Sequence, residues 1–227
     1  GLNLISTSIS QGITNSGSIG GYTDIVLSKG TLRGGFLNSG IISATKNGIG
    51  FLSQSLAGGF TNSGTITATT GYGLDFFVSN INGDIRNTGT IAGLSTAIAG
   101  SNGIINMQAT VSGALINRGS IGGYTGIQIS SGTIGGGFLN TGTITSGNKG
   151  VFVSKQSLAG GFNNSGFISS SSTYGVQIGP FSVPGSPAVL LNGGFTNTGT
   201  ITGGNYGVYI GPISIVGAII NTGSIAG

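Results

Sequence analysis

Short stretches of alternating apolar and polar residues recur along the whole chain. Gly175–Ile178, Gly207–Ile210 and Gly126–Ile129 each place two apolar side chains two residues apart, with glutamine or tyrosine between them. A period of two with β-branched residues predicts short strands that bury one face. Helical spacing is absent, and 49 glycines among 227 residues would destabilise helices further. We therefore expect an all-β fold.

One motif recurs nine times: asparagine, a small or polar residue, glycine, any residue, isoleucine. The asparagines are Asn15, Asn38, Asn62, Asn87, Asn117, Asn140, Asn164, Asn197 and Asn221. The glycines are Gly17, Gly40, Gly64, Gly89, Gly119, Gly142, Gly166, Gly199 and Gly223. The isoleucines are Ile19, Ile42, Ile66, Ile91, Ile121, Ile144, Ile168, Ile201 and Ile225. Agreement at every copy indicates one structural unit repeated along the chain.

The spacing of the copies is nearly constant. Six of the eight intervals between motif asparagines are 23 to 25 residues long, and the other two are 30 and 33. Antiparallel hairpins, which a turn dipeptide such as Asn82-Gly83 would favour, do not produce such a period. One unit cannot bury a core alone, whereas stacked units share main-chain hydrogen bonds and apolar contacts. We predict a single parallel β-helix solenoid over residues 1–227, with about nine coils of ~24 residues and three short strands per coil.

The repeated residues have structural roles in this prediction. Glycines at the joints of the strands permit positive φ and tight corners. An asparagine at the same corner of every coil tolerates left-handed backbone, and it could form an amide ladder along the rod. A large apolar residue stands two places before each asparagine, and we expect its phenylalanine members to stack inside the rod: Phe36, Phe60, Phe138, Phe162 and Phe195.

Two coils are longer than the others. We place the extra residues near 101–108 and 180–187, and the second segment contains prolines that cannot donate to a ladder, so it should form a loop. On a larger scale, residues 15–66 recur 102 places later as residues 117–168, which indicates duplication of about four coils. Both ends of the chain fall within the pattern, so we expect a fragment of a longer repeat protein.

Charge and hydropathy exclude several partners. The net charge is +4, yet the seven basic residues never form a run, whereas nucleic-acid binding needs clustered Lys and Arg. The longest apolar stretches, such as Ile215–Ile220, are far shorter than the roughly 20 residues of a membrane-spanning helix. We therefore expect no nucleic-acid partner and no transmembrane segment in this stretch.

Catalytic side chains are scarce. The chain has no histidine, cysteine or glutamate, and its only acidic residues are Asp24, Asp75 and Asp84. Asp75 and Asp84 fall in one coil and Asp24 lies two coils away, so a converging pair of carboxylates is not expected. We predict no enzyme activity, no cofactor and no metal site.

Outward-facing threonines provide an alternative. The triplets Thr65–Thr67, Thr143–Thr145 and Thr200–Thr202 would face solvent on both sides of a buried isoleucine. Such arrays, or the segment 180–187, could serve a glycan- or ice-binding module. Ile41 and Phe167 interrupt the array at equivalent places, and threonine is also an ordinary strand surface residue.

The phrase Gly-Gly-Phe-x-Asn-Ser/Thr-Gly-x-Ile, present at Gly58–Ile66 and Gly193–Ile201, resembles the repeats in passenger domains of large bacterial autotransporters and related surface adhesins. The resemblance implies a right-handed β-helix exported to the cell surface, without catalytic residues. We expect a structural extracellular rod, as an adhesin stalk or as the body of a self-assembling filament. Its partners would be other copies, end to end or as neighbouring rods, and a host or surface glycan or protein.

Overall fold

The chain forms a parallel β-solenoid. Its structure, a computed structural model, describes residues 1–93, 105–154, 156–179 and 189–227. No helix occurs in those ranges, and so none that could cross a membrane. Strand pairs are parallel and join each strand to its equivalent in the next coil. The predicted fold class is therefore confirmed.

One strand of each coil contains the motif asparagine, and we call these the Asn strands. They form a nine-stranded sheet: Ile13–Asn15, Phe36–Asn38, Phe60–Asn62, Ile85–Asn87, Leu115–Asn117, Phe138–Asn140, Phe162–Asn164, Phe195–Asn197 and Ile219–Asn221. Their register matches asparagine with asparagine from one coil to the next. Nine strands enclose eight complete turns, which span about 38 Å at the usual strand spacing of about 4.8 Å.

The other strands form a 22-stranded sheet. They occur at three further places in each coil, which we call the Ile, middle and short strands. The Ile strands, which contain the motif isoleucine, are Ser18–Gly21, Ile41–Ala44, Thr65–Ala68, Thr90–Gly93, Phe167–Ser170, Thr200–Thr202 and Ser224–Ala226. The middle strands are Leu2–Ile5, Ile25–Ser28, Ile49–Leu52, Tyr174–Ile178 and Tyr206–Ile210. The short strands are Ser8–Ile9, Thr31–Leu32, Ser55–Leu56, Gln156–Leu158, Leu190–Leu191 and Ser214–Ile215.

Four longer strands continue through a corner and supply two or three of these positions: Leu74–Ile81, Ile105–Val111, Ser120–Ile134 and Thr143–Val153. A coil therefore has four strand segments, and our expectation of three was wrong. The Phe-x-Asn segment, which we had not counted as a strand, pairs in a sheet of its own because the glycines before and after it turn the chain.

The core consists of columns of equivalent side chains. The motif isoleucines of the inner coils are buried: Ile42, Ile66, Ile91, Ile121, Ile144, Ile168 and Ile201. In the outermost coils Ile19 is half-buried and Ile225 is exposed, because each has a neighbouring coil on one side only. Alternating strands with one inward face thus account for the apolar pattern of the sequence.

Phenylalanine rings stack on each other within these columns, as predicted. The ring centroids of Phe36 and Phe60 lie 5.6 Å apart, and those of Phe162 and Phe195 lie 5.0 Å apart, both with nearly parallel planes. Phe138 continues the second stack at 4.7 Å from Phe162. Between the two stacks the column holds the aliphatic residues Ile85 and Leu115, which are also buried. A separate stack pairs Phe51 with Phe76 at 4.9 Å.

The predicted insertion near 101–108 needs correction. Ala68 pairs with Gly93 and Leu74 pairs with Ile105, so the five residues 69–73 correspond to the eleven residues 94–104. Residues 105–108 therefore belong to a paired strand, and Met107 is buried in the core. The six extra residues fall within 94–104, outside the described residues, and so does the predicted loop at 180–187.

The motif glycines are required because neighbouring coils approach closely at this corner. A Cβ built on Gly119 would meet the main-chain oxygen of Gly89 in the preceding coil far inside van der Waals contact, and Gly142 meets Gly119 in the same way. The described positive φ angles occur at other corners, for example 73° at Gly59, the second glycine of a Gly-Gly-Phe segment. The motif glycine thus recurs mainly because a Cβ would not fit between neighbouring coils, rather than because the backbone needs a positive φ there.

We expect Gly119→Ala to force two coils apart and to lower the free energy of unfolding by about 1–3 kcal/mol, the usual cost of overpacking. Gly17→Ala is the matched control, because nothing lies within 4 Å of a Cβ at Gly17. Its effect should remain within about 0.5 kcal/mol. Urea denaturation of both variants checks the prediction, and equal losses would contradict the close approach.

Candidate functional site: the asparagine ladder and the outer faces of the coils

The nine motif asparagines form one continuous ladder of side-chain hydrogen bonds. In each coil the amide Nδ2 donates to the Oδ1 of the asparagine in the next coil, as from Asn62 to Asn87 at 2.8 Å and from Asn87 to Asn117 at 2.9 Å. Six further bonds of 2.8 Å complete the eight links from Asn15 to Asn221. The donors all point toward the C-terminal coils, so the ladder has a direction.

The same amides also close the corner that follows them. Nδ2 of Asn62 lies 3.2 Å from the carbonyl oxygen of Gly64 in its own coil and 3.2 Å from that of Thr90 in the next. None of the ladder asparagines is in left-handed backbone, the conformation that asparagine at a corner would tolerate. The described non-glycine residues with positive φ are Ser6, Lys29 and Ser53, at the end of the middle strands. Asparagine acts here through its side chain.

Burial makes the ladder a structural feature. The side chains between the first and last coil are almost inaccessible to solvent: Asn38, Asn62, Asn87, Asn117, Asn140, Asn164 and Asn197. Both polar atoms of these amides are engaged within the rod, which is what burial of polar groups requires. The motif isoleucines of the inner coils and the phenylalanines are buried likewise, so the predicted site residues of these coils form the interior of the rod.

The outward threonines lie in register but not in an unbroken array. Thr65 pairs with Thr90 on one side and with Ile41 on the other. Thr143 and Thr200 are both outward, yet Phe167 stands between them in the same column and is 39% exposed. In this column, threonines of neighbouring coils are therefore limited to one pair, Thr65 and Thr90.

The three acidic residues do not converge on one site. Asp84 forms an ion pair with Arg86, with 2.9 Å between Oδ2 and Nη2, and its Oδ1 accepts a hydrogen bond from the Ala114 N–H. Asp75 faces outward on another strand, and Asp24 lies in the first coil. Across the described ranges, no group of three acidic, histidine or cysteine side chains could hold a metal ion.

Asp24 is an unusual residue in the first coil. It stands directly before a middle strand, at a place that Gly48 and Gly73 occupy in the following coils. The side chain is buried, and neither carboxylate oxygen accepts a well-formed hydrogen bond. Burial raises the pKa of Asp24, while the charge of the amino terminus and the Ser43 backbone N–H offset part of the effect. A carboxyl group without access to solvent is not a binding group for a ligand.

One surface was not anticipated from the sequence. Two outward columns of the middle strands pair in register along the last coils, Thr125–Lys149–Tyr174–Tyr206 and Gln128–Phe152–Gln177–Tyr209. Tyr174 stacks on Tyr206 with ring centroids 5.7 Å apart, and on Tyr209 at 5.5 Å with tilted planes. We call Lys149, Phe152, Tyr174, Tyr206 and Tyr209 the tyrosine patch. Aligning the middle strands of successive repeats position by position, rather than searching for the residues they share, would have indicated this patch.

Polar groups accompany these rings. The ammonium nitrogen of Lys149 lies 4.1 Å from the ring centroid of Phe152, and burial lowers the pKa of Lys149. Gln177 is buried between Phe152 and Tyr209, and its Oε1 accepts no hydrogen bond. An unsatisfied buried acceptor is rare and calls for an explanation.

Comparison with known proteins gives no assignment for this chain. No protein-family model, no curated protein and no solved structure matches it.

We expect Asn117→Ala to interrupt the ladder in the middle of the rod. The change removes the acceptor of Asn87 and the donor of Asn140, and each buried group left unsatisfied costs about 1–3 kcal/mol. Asn221→Ala removes only the last link, at an exposed residue, and should cost at most about 1 kcal/mol because water replaces the bond. Urea unfolding measures both, and a similar loss for the two variants would show that the ladder does not stabilise the rod.

Proposed function

We propose that the chain is a structural extracellular rod, either the stalk of a bacterial surface adhesin or the body of a self-assembling filament. The observation that carries this proposal is the unbroken register of the eight turns, in which one asparagine ladder extends from the first Asn strand to the last. Such an arrangement extends the molecule in one direction while the cross-section stays the same.

The direction of the hydrogen bonds supports a mechanical role. Main-chain bonds between strands join one coil to the next, and the amide ladder does the same. Both sets therefore lie along the rod axis, so pulling two neighbouring coils apart must break several bonds at once. Resistance to tension along one axis is a physical property that a stalk and a filament share.

The extracellular location rests on the resemblance of the repeats to those of bacterial surface proteins. The amino-acid content agrees with a passive role outside the cell, since only 4% of the residues are charged and no histidine, cysteine or glutamate is present. Three of the side chains that most often serve in general acid–base and nucleophilic catalysis are thereby missing, and we propose no enzyme activity.

A glycan- or ice-binding module built on outward threonines is the weaker proposal. It needs a flat array of equivalent threonines over several coils, and the exposed side chains of Ile41 and Phe167 interrupt that array. Replacing Thr65, Thr143 and Thr200 by lysine would abolish ice shaping if the array had this role, and a structural rod would remain intact.

Electron microscopy of the purified chain over a series of concentrations tests the proposal. We expect elongated particles of constant width. Particles that lengthen with concentration into filaments, with an axial repeat near 4.8 Å, identify the filament form. Single short rods at every concentration identify the stalk form, and compact particles that neither elongate nor assemble along one axis contradict both.

A further inference from the structure

Among the described residues, the tyrosine patch is the one outer surface where large aromatic side chains cover consecutive coils. Tyr206 is 57% exposed although one face of its ring stacks on Tyr174. Tyr209 packs beside them, and Phe152 lies one coil beyond Gln177 in the same column. Rings that support one another in this way are held rigid, so a ligand would lose little by ordering them.

The fold does not require these residues. In the coil that precedes Lys149 and Phe152, the same two columns hold Thr125 and Gln128, which pair in the same register. In an earlier coil the second column holds Gly50. The solenoid therefore forms with small or polar residues at these places, and the aromatic residues need an explanation other than folding.

The charge distribution of the chain favours an anionic ligand at the patch. All three acidic residues lie at or before Asp84, whereas residues 85–227 contain four basic residues and no acidic one. Lys149 is the cation of the patch itself, and its ammonium group is fixed over Phe152. A carboxylate that approaches this surface meets no like charge from neighbouring coils.

We propose that the tyrosine patch binds an acidic saccharide, with the sugar chain lying along the rod axis. Phenolic hydroxyl groups donate to and accept from sugar hydroxyls, and the apolar C–H faces of the sugar rings lie against the aromatic side chains. The ammonium group of Lys149 pairs with the sugar carboxylate. This site is independent of whether the rod is a stalk or a filament.

A nucleic acid is the competing ligand, because single strands also bind aromatic residues and cations. Bases stack on open ring faces, and a groove that follows the backbone needs several cations. In the patch, Tyr174 is stacked on Tyr206 and packed against Tyr209 with tilted planes, and Lys149 is the one cation. The hydroxyl groups and ring edges are better suited to a sugar.

Calorimetric titration of the whole chain tests the site. The probes are a hexasaccharide of alternating glucuronate and N-acetylglucosamine, and the neutral hexasaccharide of N-acetylglucosamine. We expect the acidic probe to bind more tightly, with an affinity that falls as salt rises. The double variant Tyr206→Thr, Tyr209→Gln copies the residues of the Thr125 coil, so it should keep its melting temperature and lose at least about tenfold in affinity, or about 1.4 kcal/mol.

Two further variants separate the parts of the proposal. Tyr22→Thr removes a tyrosine that is 69% exposed in the first coil, outside the patch, and should leave the affinity unchanged. Lys149→Asn copies Asn47 and should abolish the preference for the acidic probe. The proposal is overturned by no binding of the acidic hexasaccharide, by equal affinity of the double variant, by equal binding of the neutral probe, or by tighter binding of a thymidine hexanucleotide.

Discussion

Neighbouring coils of this chain lie one strand spacing apart, with each residue directly over its equivalent, and the rest of the structure depends on this register. Parallel strands in register bring like residues together. Each interior position therefore favours a residue type that packs against, or hydrogen-bonds to, the same residue type in the next coil. Asparagine does so because its amide both donates and accepts, glycine because it has no Cβ to strike the next coil, and isoleucine and phenylalanine because they stack in the interior.

The same register explains what the sequence could and could not predict. Interior positions repeat because each residue contacts its equivalent in the next coil. The period, the parallel fold, the amide bonds and the stacked phenylalanines were therefore all predictable. The fourth strand segment was missed because the Phe-x-Asn segment is only three residues long and carries no alternation of its own. The role of the motif glycine was misjudged, since close approach of Gly89 and Gly119 is a property of two coils and is not visible in one.

Outer positions are less constrained and were harder to interpret. A coil accepts threonine, lysine or tyrosine at the place of Thr125, Lys149 and Tyr174, because the side chain there is not part of the hydrophobic core. Residues that repeat from coil to coil therefore indicate the interior of the rod. Positions where the repeats differ indicate the surfaces where a ligand could bind. Asp24 shows that even an interior corner tolerates a departure in the first coil, at the cost of an unpaired carboxyl group.

Hydrogen exchange of the asparagine side-chain amides, followed by NMR, tests the central claim most directly. The inner ladder amides, such as those of Asn62, Asn117 and Asn164, are buried and bonded from coil to coil, whereas Asn192 and Asn205 are exposed. We predict that the ladder amide protons exchange at least about 100-fold more slowly than those of the two exposed residues. Similar exchange rates for the two groups would contradict a continuous buried ladder, and with it the register on which the account rests.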